Sequence, residues 1–345
     1  MGTKITELMQ TKELSITDLK GKIIVVDAFN QLYMFLSSIR QPDGSLLKDS
    51  HNNVTSHLNG LFYRFTNLMK QDIKFVFVFD GEPPELKLKE RERRSKLKDA
   101  ATLQFEKAES EENLEDMKKY ASRTSKLTKE MIVDAKELID ALGFPIIQAP
   151  SEGESQAALL VKNKDAYASL SQDADSLLFG CPLVIKNLTL SGRKKLPNKL
   201  AYDTITPELI SLVDTLTQLN IDQDQLIVLA MLTGTDYNIG GIKGIGPKTA
   251  LKLVKEYGTG ANNFDKLFSE VKWDEYFNYS WKEVFNVIKN TKTISDYKLF
   301  FKEVDDEKVV EILCKKHDFN EERTRLVLDK LHKKPVAQKG LGEYF

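Results

Sequence analysis

The chain is poor in cysteine, has no long apolar run and carries almost no net charge. Each shortage excludes a class of protein. Its two cysteines, Cys181 and Cys314, stand far apart in 345 residues with no other soft ligands beside them. That excludes a disulfide scaffold and a zinc ribbon and points to a reducing compartment. Apolar runs such as Leu226 to Leu232 are far shorter than the roughly 18 residues that a membrane span needs. The first residues, MGTKITELMQ, contain no apolar segment, so no signal peptide is expected. Fifty basic residues face 51 acidic ones, a formal net charge of −1. A protein that coats DNA indiscriminately is more basic, so any affinity for nucleic acid has to come from local patches. Internal repeats and low-complexity tracts are lacking too. What is present is 41% hydrophobic and 29% charged, a globular balance. The length allows a large core and roughly two domain-sized units.

Two short runs organise the first third. Lys22-Ile23-Ile24-Val25-Val26 ends in Asp27, and Lys74-Phe75-Val76-Phe77-Val78-Phe79 ends in Asp80. Continuous β-branched and aromatic runs of this length fit strands buried on both faces, as in a parallel sheet. Helical stretches at 30–40 and 56–71 lie between them, and a strand–helix–strand order implies a right-handed crossover. Pro145 to Ile147 and Ala166 to Leu170 extend the alternation. Leu183 to Lys186 with Lys199 to Tyr202 reads as a further strand pair at an edge. The expected fold is α/β, with a central mostly parallel sheet and helices on both faces. From about 85 to 129 the chain turns polar. Lys87 to Lys98 holds seven basic and two acidic residues, and Glu106 to Asp116 is acidic. So few large apolar residues cannot bury a face, and the segment reads as a helical excursion from the core. From about Lys333 the chain is polar, and disorder is expected there.

Acidic residues gather where strands end. In open α/β sheets, ligands bind beyond the carboxyl ends of the strands. Asp27 and Asp80 follow the first two strands, Glu152 and Glu154 lie in Ala149-Pro150-Ser151-Glu152-Gly153-Glu154, and Asp173 and Asp175 follow the run at 166–170. Asp236 follows the helix containing Leu226 to Leu232. Taken singly, each has a bland explanation. An Asp after a strand starts a turn or caps a helix, Ser151 with Glu154 has capping-box spacing, and Asp173 suits an N-cap. Together, seven carboxylates suit hard cations. Two Mg²⁺ ions about 4 Å apart can clamp the attacking and leaving oxygens of a phosphodiester. Two such ions return only part of the negative charge, so basic groups have to reach in for phosphate to bind. Lys87 and Arg94, seven apart and so on one helix face, are the candidates. A solvated charged helix is the plainer meaning of such a run.

Gly240-Gly241-Ile242-Lys243-Gly244-Ile245-Gly246-Pro247-Lys248-Thr249 precedes a helical run. Glycines allow close backbone approach, Pro247 suits a first helical turn, and a helix start with free N–H groups favours phosphate. The stretch resembles a helix–hairpin–helix element for gripping a DNA backbone. It is not a P-loop, since the Lys does not directly follow the second glycine. At the far end, Gln338-Lys339-Gly340-Leu341-Gly342-Glu343-Tyr344-Phe345 carries apolar side chains on a polar tail, which suggests docking into a partner.

These motifs, in this order, resemble the flap endonucleases of the structure-specific 5′ nuclease superfamily, most closely the archaeal members, over nearly the whole chain. The resemblance implies a nuclease domain over 1–332, with an arch insert at about 85–129 and a helix–two-turns–helix at about 226–257. A clamp-binding tail would follow at 333–345. It implies a two-metal site made by Asp27, Asp80, Glu152, Glu154, Asp173, Asp175 and Asp236, holding two Mg²⁺, for which Mn²⁺ can substitute. Lys87 and Arg94 match the basic pair that faces the scissile phosphate, and Tyr33 matches an aromatic that stacks near it. Gly2 matches the glycine that places the processed amino terminus near the site, although Thr3 departs from the usual aliphatic residue. Gly241, Lys243, Gly244, Gly246 and Lys248 match the duplex-gripping turn, with a monovalent cation as a possible aid. Gln338, Leu341, Tyr344 and Phe345 match the peptide that binds the sliding clamp (PCNA). The expected enzyme is a Mg²⁺-dependent 5′ flap endonuclease, with accompanying 5′–3′ exonuclease activity, in DNA replication and repair. A monomer in the cytoplasm of an archaeal-type cell is expected, and the lack of a basic tail after Phe345 agrees with that source. The alternatives are a 5′–3′ exonuclease or junction resolvase of the same superfamily, or a non-catalytic DNA adaptor carried by the clamp.

Overall fold

The fold follows from the two apolar runs at 22–26 and 74–79, which pair side by side and in parallel within a seven-stranded sheet. The structure is a computed structural model and describes residues 4–111, 113, 116, 120, 124–190, 193–195 and 202–332. The strands are β1 (Lys12–Glu13), β2 (Ile23–Asp27), β3 (Lys74–Phe79), β4 (Ile146–Gln148), β5 (Ala168–Leu170), β6 (Leu183–Lys186) and β9 (Glu208–Ser211), with β7 (Arg193–Lys195) and β8 (Tyr202–Thr204) forming a separate hairpin. The order across the sheet is β1-β9-β6-β5-β2-β3-β4. β4, β3, β2, β5 and β6 run parallel, and β9 turns antiparallel to β6 and β1. The edge pairing expected of Leu183–Lys186 is corrected: β6 is an interior strand between β5 and β9, and Tyr202–Thr204 pairs with Arg193–Lys195 instead.

Strand side chains alternate between two cores. Val25, Val76 and Val78 face one, while Ile24, Val26, Phe75, Phe77 and Phe79 face the other. Both faces are therefore covered, which is why the strands read as unbroken apolar runs. On the second face lie α1 (Ala28–Ser38), α2 (Ser56–Gly60), α3 (Thr66–Met69) with a π-helical turn between them, and α5 (Lys129–Ala141). On the first face lie α6 (Gly153–Lys162) and a helical assembly. It comprises α7 (Leu212–Leu219), α8 (Gln223–Thr233), α9 (Pro247–Tyr257), α10 (Ala261–Glu270), α11 (Trp273–Tyr276) and α12 (Trp281–Lys289). α13 (Asp306–Val310) and α14 (Glu321–His332) return to the second face.

Two helices decide where the chemistry can be. α8 is buried all round from Gln225 to Thr233 and opens with a capping box between Asp222 and Gln225, so it is a rigid central post. α4 (Glu85–Ser110) is the opposite. In 26 residues only Glu90, Ala101 and Ala108 are buried, and at 1.5 Å per residue it reaches about 39 Å. It is the expected helical excursion, leaving the sheet directly after β3. Among the described residues no helix is long and apolar enough to cross a membrane.

Candidate active site

Four neighbouring parallel strands end on the same edge, and each hands over an acid. β2 ends in Asp27, β3 is followed by Asp80, β4 by Glu152 and Glu154, and β5 by Asp173 and Asp175. The chain leaves β2 toward β3 on one side, and β5 pairs on the other, so the edge is the switch point at which α/β folds bind ligands. Asp236 comes from the end of α8. Its turn is tied by Thr235 Oγ1, 2.6 Å from Asn238 Oδ1, and by the Asn238 amide, which donates to Met231 O at 2.7 Å.

Local structure then fixes the side chains. Asp27 Oδ1 accepts from the Asn30 N–H at 3.0 Å, so Asp27 does cap α1 as well as face the edge. Asp80 Oδ1 accepts from the Gly153 N–H at 2.7 Å. A Cβ on Gly153 would lie 2.5 Å from that oxygen, so the glycine between Glu152 and Glu154 is what lets the two segments meet. The capping box expected at Ser151 is corrected: Glu152 is the N-cap of α6, with no side-chain cap bond, its carbonyl accepting from the Gln156 N–H while that of Ser151 accepts from the Gly81 N–H of the neighbouring segment. Asp173 is likewise no N-cap, since the short 3-10 turn Asp175–Leu177 is preceded by Ala174. The Asn30 amide joins the two flanks, donating to Asp173 Oδ2 at 3.3 Å and accepting from the Gln172 N–H at 3.1 Å.

The helix α4 closes over this edge. Lys87 Nζ lies 2.5 Å from Glu152 Oε2 and 3.7 Å from Asp236 Oδ2, and Arg94 Nη2 bonds Asp236 Oδ1. One helix face thus brings both cations onto acids from two separate elements. The protonation of the group reflects this crowding. Burial, and then the neighbouring Asp80, pushes Asp27 well above the usual carboxylate range. Burial and Glu152 raise Asp80, and burial, Asp175 and Asp27 raise Glu154. Lys87 is buried too, which by itself would favour the neutral amine, but Glu152 and Asp236 outweigh that and hold it charged.

Tyr33 is partly exposed, with Lys98 Nζ of α4 4.0 Å from its ring centroid. The Gly-rich turn begins four residues after Asp236. Gly241 has φ +61°, and a Cβ there would come within 2.5 Å of the backbone at Leu232, Thr233 and Gly234, so this glycine serves packing. Gly246 has open space at its Cβ and caps α9 without a side-chain bond, followed by Pro247. Lys243, Gly244, Gly246 and Lys248 are exposed around that helix start. Gly2, Gln338, Leu341, Tyr344 and Phe345 lie outside the described residues.

The donor set fits hard divalent cations. Glu152 Oε1 is buried without a hydrogen-bond partner, and carboxylates whose mutual repulsion raises them are what a cation would relieve. Among the described residues, no three acids or imidazoles already stand as a ready metal cluster, and Glu152 and Asp236 are instead turned onto Lys87 and Arg94. Sequence reasoning passed over three residues. Asn30 bridges two acid-bearing segments, the Tyr237 phenol is buried and raised by burial and by Glu152, and Glu90 grips Arg94. The E-x-x-R-R spacing of Glu90, Arg93 and Arg94 was the one signal available for any of them.

Two family models match the chain. They are the XPG N-terminal domain over residues 3–101 and the XPG I-region over residues 143–236, and together they contain all seven acids and both arch cations. The Flap endonuclease 1 of Staphylothermus marinus is 46% identical over 99% of this chain and 98% of its own. That of Thermococcus onnurineus is 47% identical over 98% of this chain and 97% of its own. Among solved structures, flap endonuclease-1 from Methanococcus jannaschii superposes with a TM-score of 0.74 at 38% identity, covering 96% of this chain and 98% of that one.

Proposed function

The chain belongs to the flap endonuclease family of the XPG nucleases, and from that premise we propose that it hydrolyses a phosphodiester where a single-stranded 5′ flap leaves a DNA duplex. The observation that carries this reading is the meeting of the gathered acids with the cations of α4: Lys87 on Glu152, and Lys87 with Arg94 on Asp236. Acids alone would repel a phosphate and cations alone would only bind one. Their juxtaposition at a sheet edge, under a helix that leaves the core, suits a reaction at phosphorus.

Asp27, Asp80, Glu152, Glu154, Asp173, Asp175 and Asp236 would hold two Mg²⁺, or Mn²⁺ in their place. Such ions supply Lewis-acid polarisation of phosphate and water oxygens. The chain's own residues do the rest. Lys87 Nζ and the Arg94 guanidinium stand on the arch side of the acids, where they neutralise charge that develops on the phosphate oxygens. Tyr33 offers a ring face beside Lys98 on which a base can stack. The exposed start of α9 presents free N–H groups of an 11-residue helix to a duplex phosphate, with Lys243 and Lys248 beside them. Gly2 would bring the processed amino terminus toward the site. The segment 333–345 would bind the sliding clamp, and the enzyme would act as a monomer on chromosomal DNA in replication and repair.

The test is cleavage of a labelled double-flap duplex, with blunt duplex, nicked duplex and four-way junction alongside, each with and without Mg²⁺. Cation-dependent cleavage with preference for the flap is expected, together with weaker trimming from a 5′ end. Preference for the blunt or four-way substrate would assign the chain to the exonuclease or resolvase branch. Binding without cleavage in Mg²⁺ would make it an adaptor.

A further inference from the structure

We propose that Glu90 is a positioning residue for the reaction: it holds the Arg94 guanidinium in the pose from which it reaches the acidic edge. The proposal rests on the reading of Arg94 as the group that steadies the phosphate.

Glu90 is anomalous where it stands. It is 4% exposed, on a helix whose other buried residues are Ala101 and Ala108. Burying a carboxylate is costly unless it is paired and fully hydrogen-bonded. Here it is both. Arg93 forks onto its two oxygens at 2.7 Å each, and Arg94 Nε donates to Oε1 at 2.6 Å. Burial pulls the Glu90 carboxyl up, yet the two guanidinium bonds hold it below its ordinary value, so it stays charged at neutral pH. The sequence spacing makes the contact possible, because residues three and four further along a helix lie beside the first.

The consequence lies in Arg94. Its guanidinium is planar and rigid on a flexible stem. One part of the plane, Nε, is held by Glu90, and another, Nη2, reaches Asp236. Two anchors set both the position and the tilt of the plane. Lys87 needs no such partner, because its ammonium meets Glu152 directly. Glu90 also sits between two adjacent arginines that would otherwise repel each other, so it neutralises part of their charge while leaving Arg94 turned inward.

A plain helix-stabilising pair predicts something different. If Glu90 only supported α4, its loss would cost the same whether or not Arg94 were present. The experiment is therefore a double-mutant cycle in single-turnover flap cleavage at saturating enzyme, with parent, Glu90→Gln, Arg94→Ala and the double variant, and with DNA affinity and Tm measured for each. Glu90→Gln keeps the shape and removes the charge. It should slow the chemical step about tenfold while leaving affinity within about twofold, and it should add no more than about twofold to Arg94→Ala. An equal slowing in both backgrounds, or no slowing in the parent, would overturn the proposal. A parent-like rate for Arg94→Ala would instead sink the role of Arg94, and with it the reason for holding it. If Glu90→Gln does not fold, Glu90→Asp, which keeps the charge but withdraws it by one methylene, carries the same cycle with a smaller slowing expected.

Discussion

At the scale of single residues, chemistry and binding separate. Asp80 and Asp175 belong to the half-buried acidic edge, whereas the exposed residues offered for duplex contact lie around the start of α9. Asp80→Ala and Asp175→Ala should each abolish flap cleavage in Mg²⁺ and leave duplex affinity at or above that of the parent, because a negative charge is removed. A folded variant that cleaves at the parental rate would show the metal site to be wrongly assigned. Lys87→Ala and Arg94→Ala remove the charge proposed to act as the phosphate rearranges. Each should lower the single-turnover rate by about 10²–10³-fold with little change in affinity. The opposite pattern, weaker binding with an unchanged rate, would leave them as flap contacts only. Both arch cations were legible in the sequence from their spacing on one helix face. Which acids they meet was not, since Glu152 and Asp236 are 65 and 142 residues away from their partners.

At the scale of elements, the Gly-rich turn divides into a packed and an exposed half. Gly241 combines positive φ with backbone atoms 2.5 Å from a built Cβ, so Gly241→Ala should strain the fold by about 1–3 kcal/mol and lower Tm by a few degrees. Gly246 has φ −91° and open space at its Cβ. Gly246→Val should therefore keep the parental Tm and yet cover the amides at the start of α9. Loss of one or two hydrogen bonds to a phosphate, at about 1 kcal/mol each, is about a tenfold loss of duplex affinity. Parent-like affinity in fluorescence anisotropy would remove α9 from the DNA surface. The notation G-I-G-P-K pointed to this element, but a pattern of glycines does not say which one is there for packing. That depends on what lies opposite each Cα.

For the whole molecule, an internal charge cluster and the C-terminal segment give two further tests. His317 is buried with Nδ1 3.1 Å from Asp49 Oδ2 and Nε2 3.5 Å from Asp134 Oδ2, and Asp134, then Asp49, raise it above its ordinary 6.5. His57, buried beside the same groups, is pushed down to about 4. The signs oppose. The raised imidazole lends stability that is full below its unfolded value and is lost as pH rises through its folded one. The depressed imidazole makes stability fall as pH drops from 6.5 toward 4. Calorimetry across neutral and mildly alkaline pH should show Tm falling for the parent and a flatter course for His317→Gln. Parallel slopes would show that His317 does not set this dependence. A chain truncated after Lys334 should keep flap cleavage and lose affinity for its own sliding clamp. Leu341, Tyr344 and Phe345 could each contribute roughly 1.5–3 kcal/mol when buried in a partner, less the cost of ordering the segment. Calorimetry with the cognate clamp decides it, and unchanged affinity would put the contact elsewhere.

The sequence alone determined what short-range physics controls. Unbroken β-branched runs gave buried strands, the polar composition of 85–110 gave a helix that cannot rest on the core, and acids directly after strands gave one acidic edge. Only the tertiary structure decided the rest, because it depends on partners distant in sequence. β6 pairs with β9 and not with the segment after it, since strand pairing is chosen by the sheet and not by the strand. The cap of α6 falls to Glu152 and not Ser151, whose carbonyl accepts from Gly81, 70 residues away. Gly153 is required by Asp80, Asn30 by Asp173, and Glu90 by the two arginines that both bond it. A residue's type and spacing state which bonds it can make. Which of them it does make is settled by whatever the fold places within 3 Å, and that distance is a property of the whole chain.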